Sequence, residues 1–149
     1  MTRTTTMPTL PPIEKSGKNV VITDSGTGLV HSAMGGALDS THTLVIAGAP
    51  TLDGASRAAK TLDWLVAHGY GDLVERAVVA LSCGQASRDV DQNRIVDYFH
   101  RRCRTVVTIP ADPHLAIGGV IELAALRQPT RDAFLRLAAA VAEQFGGAR

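Results

Sequence analysis

The sequence predicts an α/β fold, a mostly parallel sheet of about four to five strands with helices on both faces, and three observations predict it. Short β-branched runs recur along the chain, segments of helical periodicity separate them, and the runs are continuously apolar rather than alternating. Continuous apolar runs mark strands buried on both sides, and strands alternating with helices build right-handed βαβ units with parallel pairing.

Residues 1–18 are rich in Thr, Pro and charge, and Pro8, Pro11 and Pro12 break any periodicity, so this stretch reads as a flexible leader to a domain spanning residues 19–149. Val20-Val21-Ile22 reads as the first strand, and Gly26 and Gly28 mark a turn after it. Residues 29–38 have a mixed helical character weakened by Gly35 and Gly36. Thr43-Leu44-Val45-Ile46-Ala47 is the second strand, closed by Gly48 and Pro50. From 53 to 68 the apolar residues Ala55, Ala58, Ala59, Leu62, Leu65 and Val66 recur at helical spacing, and Gly69 stands where a helix ends in the left-handed conformation.

Ala77-Val78-Val79-Ala80-Leu81 is the third strand, followed by the loop Cys83-Gly84-Gln85-Ala86-Ser87. Residues 89–102 are helical through Val90, Ile95, Val96 and Phe99, with Arg101 and Arg102 at the negative end of the helix dipole. Thr105-Val106-Val107-Thr108-Ile109 is the fourth strand, stopped by Pro110. Pro129 or Thr130 opens a last amphipathic helix through Phe134, Leu137, Val141 and Phe145, ended by Gly146-Gly147. A sheet of four strands is thin, and its edge near Val20 is poorly covered, as in part of a larger sheet.

With 149 residues, 45% of them hydrophobic, the chain suffices for one domain with its own core. A net charge of +1 with interspersed signs disfavours nucleic-acid binding by bulk charge. No run approaches the ~20 apolar residues of a membrane span, and the leader lacks the apolar segment of a signal peptide, so a cytoplasmic location is expected. Cys83 and Cys103 are too few for a disulfide framework and not spaced as a CxxC motif.

The sharpest chemical feature is a strand that delivers Asp24 and then two glycines at its carboxyl end, the edge where open α/β sheets bind ligands. An aspartate there can hold Mg²⁺ through water while the glycines let backbone approach a phosphate; the plainer reading is a turn cap. His100 and Cys103 share a helical i, i+3 spacing but lack a second ligand pair, so no resident metal is predicted from them. Ser25 follows Asp24 directly, with the glycines after it, which rejects a nucleophile elbow. The basic cluster at residues 100–104 reads as a solvated helix end, and Trp64, Leu65, Leu137 and Val141 as core.

Asp24-Ser25-Gly26-Thr27-Gly28-Leu29 resembles the Walker B and switch II segment of MinD/ParA-like P-loop ATPases. Residues 43–50 with the helix after them resemble that family's next strand and helix, and Ile109-Pro110-Ala111-Asp112-Pro113-His114-Leu115 with Gly118-Gly119 resembles its adenine-side loop. In order, residues 19–145 are similar to actinobacterial MinD-like proteins, including those linked to type VII secretion. The resemblance implies the C-terminal half of a three-layer, Rossmann-like P-loop fold. It also implies ATP and Mg²⁺ as cofactors, with Asp24 the carboxylate of the Mg²⁺ and water network and Gly28 the switch glycine facing the γ-phosphate. Asp24, Ser25, Gly26, Thr27 and Gly28 would line the phosphate side, and Pro110, Ala111 and Asp112 the base side.

Two departures stand against activity. Ser16-Gly17-Lys18-Asn19 lacks the first glycine and the Ser/Thr of a Walker A loop, and Ser82-Cys83 stands where the family carries an adenine-contacting Asn. The expectation is a truncated or split ATPase domain, of partitioning, cell-division or secretion ancestry, with little or no hydrolysis alone. The alternative is a non-catalytic α/β interaction module that pairs through its exposed sheet edge with itself or with a larger relative, so a protein partner or homodimer is expected.

Overall fold

The computed structural model describes residues 20–26, 33–84 and 91–145. In chain order its elements are α1 (Ala33–Asp39), β1 (Val45–Gly48), α2 (Leu52–Ala67), α3 (Gly71–Glu75), β2 (Val78–Ser82), α4 (Gln92–His100), β3 (Thr105–Ile109), α5 (Pro113–Ile117), a 3₁₀ turn (Leu123–Ala125) and α6 (Gln128–Ala142). The three strands form one parallel sheet in the order β1-β2-β3, with Ala47 opposite Ala80 and Ala80 opposite Val107. The α/β class, the parallel pairing and the helices on both faces match the sequence reading.

Two apolar layers hold the sheet. On one side Ile46, Val79 and Leu81 pack with Leu38 of α1, Ala58, Leu62 and Leu65 of α2, Leu73 and Val74 of α3, and Ile95 and Phe99 of α4. On the other side Val78, Ala80, Val107 and Ile109 pack against Ala133 and Ala140 of α6. Central β2 is therefore buried on both faces, which is why its run is apolar without alternation.

The elements start and stop where local chemistry directs. Thr51 caps α2 by accepting from the Gly54 N–H at 3.1 Å, and Gly69, with φ +89°, lets the chain leave the helix. Asp91 caps α4 by accepting from the N–H groups of Asn93 and Arg94, so α4 begins at Gln92 rather than near residue 89, which lies outside the described residues. Pro129 sits in the first turn of α6, where its missing N–H costs nothing. The glycines expected to end this helix, 146 and 147, lie outside the described residues, as does the leader.

The strand expected at Val20-Val21-Ile22 does not form: these residues carry no regular secondary structure and are exposed, Ile22 at 89%. A β-branched run supplies the propensity of a strand, but a strand exists only when a neighbour takes up its N–H and C=O groups, and among the described residues none pairs with this run. The described sheet thus has three strands rather than four to five, with β1 and β3 at its two edges, and its edge on the N-terminal side is β1 rather than Val20.

Candidate interaction edge and the sequence-predicted site

Asp24, Ser25 and Gly26 lie in the exposed stretch before α1. The Gly26 N–H donates to Asp24 Oδ1 at 2.8 Å, and Gly26 takes φ +60°, a compact turn closed by the aspartate's own side chain. Thr27 and Gly28 lie outside the described residues.

Pro110, Ala111 and Asp112 follow β3. Asp112 is buried and its carboxylate is fully engaged: Oδ1 accepts from the His114 N–H at 2.9 Å, capping α5, and Oδ2 accepts from the Arg127 N–H at 2.8 Å, at the start of α6. Burial alone would raise its pKa, but the hydrogen bond from Arg127, the nearby Thr130 hydroxyl and the bond from His114 outweigh it and hold the carboxyl below its ordinary value. The geometry makes Asp112 a latch between two helix starts. Among the described residues no hydrogen bond joins residues 24–26 to residues 110–112.

Other sequence candidates resolve in the same way. Cys103 is in the core beside Phe99, whereas His100 is exposed, so they do not share a face. Burial raises the pKa of both free thiols, Cys83 and Cys103. Arg102 at the end of α4 is tied to Asp63 of α2 at 2.6 Å and to the Tyr98 hydroxyl, a helix-to-helix clamp. Among the described residues no group of three His, Cys, Asp or Glu side chains could hold a metal ion. An open cleft of about 260 Å³ lies between α1 and α3, lined by Leu38, Asp39, Tyr70 and Arg76, with the Tyr70 hydroxyl donating to Asp39 at 3.0 Å.

What the sequence reading missed is the state of β1. The Val78 N–H donates to the Leu44 carbonyl, so in a parallel ladder Leu44, Ile46 and Gly48 turn their peptide groups toward β2. Val45 and Ala47 then turn theirs to the open side. Their side chains lie on the α6 face of the sheet, but α6 packs over β2 and β3, and both residues are exposed. Among the described residues, β1 therefore has no strand on its outer side and no cover on the apolar face at Val45 and Ala47.

No protein-family model matches the chain. No solved structure matches it. It is similar to the ESX-1 secretion-associated protein EspI from two strains of Mycobacterium tuberculosis, with 32% identity over 130 residues in each case. The match covers 85% of this chain and 20% of those relatives, so the chain spans a fifth of their length.

These findings correct the resemblance to MinD/ParA-like ATPases. The matched relatives carry a secretion-associated name, no family model or solved structure supports a P-loop ATPase, and the expected ATP-binding and chromosome-partitioning roles fall with it. Among the described residues no helix is long and apolar enough to cross a membrane.

Proposed function

We propose that this chain is a non-catalytic α/β interaction module serving protein secretion, and that it engages a protein partner by strand addition at β1. The observation that carries this reading is the pairing of an open backbone edge at Val45 and Ala47 with an uncovered apolar face at the same residues. Proteins ordinarily blunt such an edge with charge, proline or a covering helix, and strand addition is the recognition mode that uses it. The full engagement of Asp112 also favours this reading, because it leaves that buried carboxylate with a structural task. The secretion context rests on the printed name of the relatives. A cytoplasmic location agrees with two free thiols.

Ala47→Pro tests this directly, because it removes an outward N–H while sparing the β1–β2 ladder, the one place in a sheet where proline is tolerated. The tagged chain, recovered after cross-linking in its host, should carry components of the secretion apparatus in stoichiometric amounts. Ala47→Pro should reduce that yield by about tenfold or more with far-UV circular dichroism unchanged. Equal yields from both proteins would sink the reading.

A further inference from the structure

The structure points to the occupant of this edge: we propose that residues 20–23 of a second copy of this chain add to β1 as a fourth parallel strand, the exchange being reciprocal. This rests on the interaction-module reading and names its partner at β1: the second copy takes that edge, and secretion components recovered with the chain meet the dimer so formed.

The place of the missing strand follows from the helices. α2 joins β1 to β2 and α4 joins β2 to β3, each a step to the next strand, and both lie on the same face of the sheet. Crossovers of one hand that step in one direction keep their helices on one face. α1 lies on that face too, since Leu38 is buried in the layer of Leu62 and Phe99. A strand preceding α1 therefore belongs one step further out, against the free edge of β1. The connection from Thr23 to Val45 exceeds the dozen residues that a parallel crossover needs.

The segment that belongs there has the composition for it and stands clear of it. Val20, Val21, Ile22 and Thr23 are all β-branched, and Val20, Val21 and Ile22 are exposed and unpaired. The free chain thus carries two complementary unsatisfied features, an apolar segment without a sheet and a sheet edge without a strand. Exchange of an identical element between protomers satisfies both features in both copies through one closed two-fold contact. The exchanged strand would lay alternate side chains beside Val45 and Ala47, on the part of the sheet that α6 leaves bare.

The purified full chain is the material for the test. Its mass in solution, measured up to about 100 μM, should be that of a dimer. Ile22→Lys should shift it to a monomer, weakening association by about tenfold or more, and Ala47→Pro should do the same. Ile22 is so exposed in the free chain that lysine there leaves the domain's folding untouched, which keeps the test valid if the proline variant unfolds. Two tagged variants of different mass in a Cys83→Ser background, one carrying Ile22→Cys and the other Val45→Cys, should join through a short thiol crosslinker when mixed. A monomeric wild-type chain would overturn the exchange. So would cross-linking found only within one chain carrying both cysteines, which would mean the segment docks on its own β1. If the chain is monomeric alone while Ala47→Pro still strips it of secretion components, the exchange fails and the interaction reading stands; if that yield is also unchanged, both fail.

Discussion

Asp112 shows how one side chain can decide the shape of a loop. Its two oxygens hold the first N–H of α5 and the residue before α6, so a loop whose ends lie 15 positions apart, from Asp112 to Arg127, is closed by a single carboxylate. Because its folded pKa lies below the unfolded value, its contribution is fully present above the ordinary carboxylate range near ~4 and is lost as pH falls through the folded value. Asp112→Asn should lower the melting temperature at neutral pH by roughly 5 °C and flatten the acid limb of a melting-temperature profile taken from pH 6 to 2. An unchanged acid limb would remove Asp112 from the latch. The aspartate was visible in the sequence as a loop residue after a strand; its role was not, because the partner that defines it, Arg127, is fixed only by the folded path of the chain.

At the scale of the element, α2 is held in place by its first turn as much as by its buried stripe. Gly54 lies so close to the preceding loop that an added Cβ would meet the Ala49 carbonyl oxygen at 2.5 Å and Thr51 Oγ1 at 3.1 Å. Gly54→Ala raises helix propensity by about 1 kcal/mol, yet we expect a net loss of about 1–3 kcal/mol in urea denaturation because backbone has to move. A more stable variant would show that the loop yields freely. The helix itself was legible from Ala58, Leu62 and Leu65 at helical spacing, all three buried, and from Gly69, whose positive φ ends it. The run at residues 20–22 misled for a related reason: propensity is a local quantity, whereas a strand is a relation between two segments. The short α3 and α5, each five residues, carry too little periodicity to be read from sequence.

The whole molecule is a three-layer sandwich whose two faces are unequal. One face is sealed by four helices around Leu62, Leu65 and Phe99, all fully buried, and here each large side chain matters. Leu62→Ala should cost about 2–5 kcal/mol by urea denaturation, whereas Leu135→Ala, on the solvent side of α6, should change stability by no more than about 0.5 kcal/mol. Similar losses from both would contradict this partition. Layer count and parallel pairing were readable from the spacing of apolar runs; which edge stays open was not, because the answer depends on the face each crossover helix takes. The other face has a temporal consequence. α6, with Leu115 of α5 at its margin, covers Val78, Ala80 and Val107, and it follows all three strands in the chain. Because synthesis runs from the N-terminus, a nascent chain that has delivered β3 but not α6 has nothing from that helix to lay on this sheet face, which stays a greasy plane open to chaperones until the helix arrives.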